Sequence, residues 1–173
     1  GYDRKAGIAA SSQSASEARS DPLADPMYDP LDDPLDEALL VEAEQLAMHV
    51  NQVVLVVGLP AHYESEGFDR THLRLPRQHD ELVRRVCAVN ANTVVVLFNG
   101  APVLMPWLDQ PRAILECYLG GQAGGSGLAD VLLGAVNPSG KLAESFPQVQ
   151  SDVPADGNFP GTGRQVQYRE GLY

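Results

Sequence analysis

The chain has 173 residues, 44% of them hydrophobic, enough for one domain of ordinary size with a real core. Its 23 acidic residues against 12 basic ones give a formal charge of −11, a surface that repels phosphate backbones and argues against non-specific nucleic-acid binding. No apolar run approaches the roughly 20 residues needed to span a bilayer, and none follows Gly1-Tyr2-Asp3-Arg4-Lys5, so neither a membrane partner nor a signal peptide is expected and a cytoplasmic address is favoured.

Residues 1–35 read as a variable insertion or linker. Ala9 to Ser20 is rich in Ser and Ala, and a four-residue unit then repeats: Asp21-Pro22-Leu23-Ala24, Asp25-Pro26-Met27-Tyr28, Asp29-Pro30-Leu31-Asp32, Asp33-Pro34-Leu35-Asp36. Each proline removes a backbone donor and biases the residue before it away from helix, so consecutive turns or an extended surface segment should result. Nothing in its chemistry recommends the repeat for binding.

Residues 36–150 carry the folded unit. Leu39, Leu40, Ala43, Leu46, Ala47 and Val50 recur at helical spacing, which predicts an amphipathic helix over 36–50 capped by Asp33 or Asp36. The run Val53-Val54-Leu55-Val56-Val57-Gly58 suits a strand buried on both faces. A polar loop over 60–75 follows, then a helix over 77–90 with Leu82, Val83, Val86 and Val89 inward. Thr93 to Phe98 is a second buried strand and Ala113 to Tyr118 a third, with a helix at about 126–134 after Gly120-Gly121. Alternating strands and helices predict an α/β fold, a three-layer α/β/α sandwich on a mostly parallel sheet. In such sheets the functional loops lie at the carboxyl ends of the strands, here 59–70, 99–106 and 119–125.

Several motifs can be set aside. The glycines of 120–127 do not fall as a dinucleotide fingerprint requires. The stretch 134–141 is one residue too long for a phosphate loop, has Leu142 where Ser or Thr is needed, and carries Pro138 inside it. Ser126 is not in a nucleophile elbow. His49, His62, His72 and His79 lack metal-ligand spacing and read mostly as surface residues, so no metal or cofactor is expected. Cys87 and Cys117 fit no zinc or redox motif and read as buried free thiols rather than a disulfide.

The loop 60–75 gathers Glu64, Glu66, Asp69 and Arg70 within seven residues at a strand end. A carboxylic acid there can serve as a proton donor if it is shielded from water. Arg70 beside Asp69 is expected to fix the loop by an ion pair. From composition alone the reading as a solvated charged loop comes first.

The segment Glu64-Ser65-Glu66-Gly67-Phe68-Asp69-Arg70, with Leu73-Arg74-Leu75-Pro76 and Gln78 after it, resembles the acid/base loop of family 3 glycoside hydrolases. The resemblance continues in register through Asn99-Gly100-Ala101-Pro102-Val103, Pro106-Trp107, Gly121-Gln122-Ala123-Gly124-Gly125 and Ala129-Asp130-Val131-Leu132-Leu133-Gly134. Its most specific piece is Asn137-Pro138-Ser139-Gly140-Lys141-Leu142 with Ser145-Phe146-Pro147, and Tyr168-x-Glu170-Gly171-Leu172-Tyr173 resembles the stretch leading to the family's C-terminal module. It covers roughly residues 36–173. It implies the second domain of a retaining β-glycosidase, β-glucosidase-like, that removes terminal non-reducing β-D-glycosyl residues. The nucleophile would be an aspartate on an N-terminal barrel domain of the same parent chain. The acid/base would be Glu66, with Glu64 as the alternative because this loop varies in length across the family.

Asp69 and Arg70 become supporting residues. Trp107 is expected to pack on a helix rather than stack on a sugar, and Gln122 to shape a turn. The partners implied are a carbohydrate or an aryl or alkyl β-glycoside and the barrel domain. Gly1-Tyr2-Asp3 resembles the end of an earlier strand, so the sandwich is expected to be incomplete on its N-terminal side, with 151–173 a connection toward a further module. Alone, the chain is expected to be inactive. Two other readings stand beside this one: a non-catalytic carbohydrate-binding or scaffolding relative, and an inactive fragment.

Overall fold

The computed structural model describes residues 34–159 and 161–167. The Asp-Pro repeat up to Asp33, Gly1-Tyr2-Asp3 and the Tyr168–Tyr173 motif lie outside those residues, as does nearly all of the expected linker 1–35.

Helix α1 runs Glu37–Met48, and Asp36 caps it by accepting the Leu39 N–H at 3.2 Å. Glu37 lies in its first turn, where a negative charge suits the helix dipole. Strand β1 (Val53–Gly58) follows, then helix α2 (Arg77–Val89), strand β2 (Thr93–Phe98), strand β3 (Ala113–Glu116) and helix α3 (Gly124–Leu132). The three strands form one parallel sheet in the order β1-β2-β3. Val53 pairs with Thr93 through to Gly58 with Phe98, and Val94 with Ala113 through to Leu97 with Glu116. An open parallel sheet with helices packed on it is the arrangement of an α/β sandwich.

Helices α1 and α2 pack on each other, and α2 packs on β1 and β2. Leu40 and Ala47 of α1 meet Leu82, Val83, Val86 and Cys87 of α2 over Leu55, Val57, Val95 and Leu97. Arg85 ties the two helices on the outside, donating to both Glu37 oxygens at 2.6 and 2.8 Å. Asn90 closes α2 against the end of α1, donating to the carbonyls of Ala47 and Val50.

Four expectations need correction. Burial on both faces holds for β2, where Val95, Val96 and Leu97 are all buried, but not for β1, whose Val54 and Val56 are 45% and 38% exposed. β1 is the edge of the described sheet, and its side chains on that face have no covering layer among the described residues. Leu46 and Val50 are exposed, because α1 meets α2 along a single narrow stripe. β3 stops at Glu116 rather than Tyr118, where the chain turns into a positive φ. Among the histidines His49 is exposed, whereas His62, His72 and His79 are half-buried. Both thiols are free, as expected, with Cys87 buried and Cys117 only half-buried.

Gly58 decides how β1 ends. A Cβ there would stand 2.0 Å from the Phe98 carbonyl oxygen, so only a hydrogen fits. The Leu59 N–H then bonds that same oxygen at 3.0 Å. The Gly58 carbonyl in turn accepts from His79 Nδ1 at 3.0 Å, which fixes the neutral tautomer carrying its proton on Nδ1. Next to it Asp80 Oδ1 accepts from Trp107 Nε1 at 2.7 Å, with Trp107 2% exposed. Trp107 is thus a packing residue against α2.

Gly58→Ala should destabilise the chain by about 1–3 kcal/mol, because the clash is with backbone and cannot be relieved by a rotamer change. A thermal melt beside the parent checks this. A second prediction concerns pH. Burial pushes His79 down to about 4, against the pull of its bond to Gly58. Burial pushes Asp80 up to about 6, opposed by the Trp107 bond and the Arg74 charge. Folded His79 binds fewer protons than unfolded, so its contribution to stability rises with pH between about 4 and 6.5. Folded Asp80 binds more, so its contribution falls between 3.8 and about 6. The two slopes oppose each other in one window. Asp80→Asn keeps an acceptor for Trp107 and removes the falling slope. Relative to the parent, the variant should gain about 1–2 kcal/mol between pH 4.5 and 6.5. Denaturant unfolding at both pH values measures it, and a pH-independent difference would refute the assignment.

Candidate functional site

The loops after β1, β2 and β3 all leave the sheet at its carboxyl end. The β1 loop begins with a turn in which the Tyr63 and Glu64 N–H groups both donate to the Pro60 carbonyl, at 2.8 and 3.2 Å. Tyr63 is buried there, edge-on to His62 and His72. Ser65 and Phe68 then pair across a tight turn with Glu66 and Gly67 at its tip. Glu66 is exposed, and no hydrogen bond or ion pair joins it to another described residue.

Glu64, two residues earlier, is half-buried and turned to the protein. Its Oε2 accepts the Gly100 N–H at 2.7 Å. The approach is close: a Cβ on Gly100 would lie 3.0 Å from Glu64 Oε1. On the far side of the turn Arg70 donates Nη1 to the Pro102 carbonyl at 3.2 Å. Burial lowers the Arg70 pKa and the Glu64 charge raises it. The expected Asp69–Arg70 ion pair is not formed among the described residues. Neighbours in a non-helical stretch point to opposite sides, so Asp69 faces solvent while Arg70 turns inward. The loop is laced further along, where the Leu73 carbonyl accepts from the Leu104 N–H at 2.8 Å and the Leu73 N–H donates to Gln150 at 3.1 Å.

Two residues to which the sequence assigned no role complete the cluster, Asn99 of the second strand-end motif and Glu116. Asn99 is fully buried, and its Nδ2 donates to the Ala101 carbonyl at 2.9 Å and to Glu116 Oε2 at 3.2 Å. Glu116 closes β3, and its Oε1 accepts the Tyr118 N–H at 2.8 Å. Burial raises the Glu116 pKa and the Glu64 charge adds to that, while the bonds from Tyr118 and Asn99 pull it down. Tyr118 holds a φ of 47°, a strained conformation for a bulky residue, at the point where the third loop departs. The signal for Glu116 was a lone carboxylate closing an apolar strand run, Ala-Ile-Leu-Glu. Asn99 Oδ1 and Arg70 Nη2 are buried without a hydrogen-bond partner. Unsatisfied buried polar atoms are rare, and here both lie at the strand ends. Gln122 is exposed beside Gly121, whose φ of +62° makes the turn into α3.

Among the described residues no group of three or more His, Cys, Asp or Glu is placed to hold a metal ion, and no helix is long and apolar enough to cross a membrane. The site is a set of strand-end loops that presents two exposed carboxylates, Glu66 at the tip of the turn and Asp69 after it, and holds two others, Glu64 and Glu116, by hydrogen bonds.

Comparison with known proteins places this arrangement. Residues 5–173 match the model of the glycosyl hydrolase family 3 C-terminal domain. The chain is 53% identical over 137 residues to thermostable beta-glucosidase B of Acetivibrio thermocellus, an alignment covering 79% of the chain and 18% of that protein. It is 45% identical over the same length to a probable beta-glucosidase I of Aspergillus flavus, covering 16% of it. Its structure resembles a family 3 beta-glucosidase from Bifidobacterium adolescentis with a TM-score of 0.75 and 44% identity, over 84% of this chain and 22% of that one. A beta-glucosidase from Kluyveromyces marxianus, solved with glucose, matches with a TM-score of 0.70 and 41% identity, over 73% of this chain and 15% of that one. The chain therefore spans less than a fifth of the length of these curated relatives. Its sequence and its parallel sheet agree: the chain belongs to glycosyl hydrolase family 3, as a C-terminal domain of the family.

Proposed function

We propose that the chain acts as the second domain of a retaining β-glycosidase, β-glucosidase-like, and that Glu66 is its general acid/base. The observation that carries the reading is the placement of Glu66. It stands exposed at the tip of a bridged turn, above the carboxyl ends of a parallel sheet, on a loop tied to its neighbours. Carboxyl groups that transfer protons to a ligand must be reachable, and this end of an open α/β sheet is where ligands bind.

The chemistry sets further requirements. A retaining hydrolysis needs a second carboxylate about 5–5.5 Å from the first, as nucleophile. It also needs water kept from the proton donor until the glycosyl-enzyme has formed. A companion domain closing over the tip of the turn would supply both, with the nucleophile on it. The acid protonates the departing oxygen as the nucleophile attacks the anomeric carbon, and the same carboxylate then takes a proton from the water that releases the sugar. On this reading the chain alone does not turn over substrate, and a β-glycoside is gripped between two domains.

The test uses the full-length protein and a panel of aryl β-glycosides. Glu66→Gln should lower kcat/KM by about 10²–10⁴-fold on poor leaving groups, which need protonation, and far less on activated ones. A variant that matches the parent across the panel would remove Glu66 from the role. A parent that hydrolyses nothing on the panel would turn the reading toward a carbohydrate-binding module on the same fold.

A further inference from the structure

We infer that Glu64 is a positioning residue: its carboxylate latches the β1 loop onto the β2 loop and so fixes where Glu66 stands. The inference rests on the acid/base reading of Glu66 and adds to it the device that aims that residue.

The Ser65–Phe68 turn is short, and both of its ends are hung on the same three residues of the β2 loop. Immediately before the turn, Glu64 accepts the Gly100 N–H at 2.7 Å. Two residues after it, Arg70 donates to the Pro102 carbonyl at 3.2 Å. The Glu64 charge also raises the Arg70 pKa, a favourable interaction between the two ends of the turn. A tip of two residues held between such anchors has little freedom left, so the latch determines the position of the Glu66 carboxylate. The bond is also directional. A charged acceptor on a backbone N–H makes a short, strong hydrogen bond, and the N–H it uses belongs to a segment fixed by Asn99, which is fully buried.

Gly100 belongs to the device. A Cβ there would stand 3.0 Å from Glu64 Oε1 and 3.2 Å from Leu119 Cδ1, so it would crowd the carboxylate and push it off its place by a few tenths of an ångström. The half-buried Glu64 carboxylate is thereby directed into the protein, whereas Glu66 is exposed.

The experiment compares Glu64→Ala, Glu64→Gln, Gly100→Ala and Glu66→Ala in the full-length protein. Substrates are an alkyl β-glucoside and a dinitrophenyl β-glucoside, with and without azide. Glu64→Ala should lose about 30–100-fold on the alkyl glucoside, the scale of a displaced catalytic group, and much less on the dinitrophenyl one. Azide should not restore it, because the Glu66 carboxylate is still present. Glu64→Gln keeps an oxygen for the Gly100 N–H and should recover most of the loss. Gly100→Ala should show the Glu64→Ala pattern in weaker form without altering any carboxylate, which keeps the test open if Glu64→Ala folds poorly. Azide should accelerate Glu66→Ala on the dinitrophenyl substrate, with a glycosyl azide as product, since azide attacks the glycosyl-enzyme without a general base.

Three results would overturn the inference. Equal losses in Glu64→Gln and Glu64→Ala, restored by azide, would make Glu64 the proton donor. An unchanged Glu64→Ala would dismiss the latch. Equal losses on both substrates without recovery in Glu64→Gln would mean general damage rather than aim. Failure of the Glu66 reading looks different: Glu66→Ala would then show neither leaving-group dependence nor a response to azide.

Discussion

The described fold turns on a contact that no side chain can make. At Gly58 the backbone of β1 runs so close to the Phe98 carbonyl that a Cβ would lie 2.0 Å from its oxygen. Because the two strands close flush there, Leu59 bonds Phe98, and the β1 and β2 loops emerge at the same level. Parallel strands otherwise leave their loops free to diverge, since nothing in the ladder binds them beyond its last pair. Here the shared exit brings Gly100 within reach of Glu64 and Pro102 within reach of Arg70. The Gly58 carbonyl, turned the other way, receives His79 from α2, so the same residue also sets how the first turn of that helix meets the sheet.

The strand ends then face a problem of hydrogen-bond supply. Asn99, Glu116 and Arg70 bring polar atoms into a partly dry place, where an unpaired group costs about 1–3 kcal/mol. Most of these atoms are satisfied by one another and by backbone groups: Asn99 by Ala101 and Glu116, Glu116 by Tyr118, Arg70 by Pro102. The raised pKa of Glu116 and the positive φ of Tyr118 show strain collecting at this end. The opposite end, at Val53 and Thr93, is closed by ordinary bonds from Val53 to Asn92 and from Arg112 to Thr93. The asymmetry is physical, and it singles out the loop end without reference to any relative.

Much of this was legible in the residues. β1 and β2 fall where their β-branched runs lie, and α1 and α2 where the apolar spacing of 3.6 predicts helix, because those patterns report on local backbone choice. What a pattern does not encode is which faces find a neighbour. Val54 and Val56 read as core yet face outward, since burial depends on a layer elsewhere in space. Arg70 was paired with its sequence neighbour, and the real partners, Pro102 and the charge of Glu64, come from another loop and from the far side of a turn. The roles of Asn99 and Glu116 are hidden in the sequence for the same reason. Each is an isolated polar residue in or beside an apolar run, and its meaning exists only once β2 and β3 lie side by side.

The stiffness of the β1 loop has a consequence for any chemistry shared between two domains. On the proposed reading the second carboxylate comes from outside this domain, and a covalent glycosyl intermediate tolerates only a narrow spacing between the two groups, about 5–5.5 Å. Errors in the placement of each partner then add. A carboxylate on a loose loop would hold that spacing only a fraction of the time, and the rate would fall by that fraction. Anchoring both ends of the Ser65–Phe68 turn to residues 100–102 removes one of the two sources of error within this domain, before the domains meet. The exposed tip and the half-buried side chains of Glu64 and Arg70 are therefore one arrangement: the group that must meet a ligand is left in solvent, and the side chains that aim it are turned toward the protein.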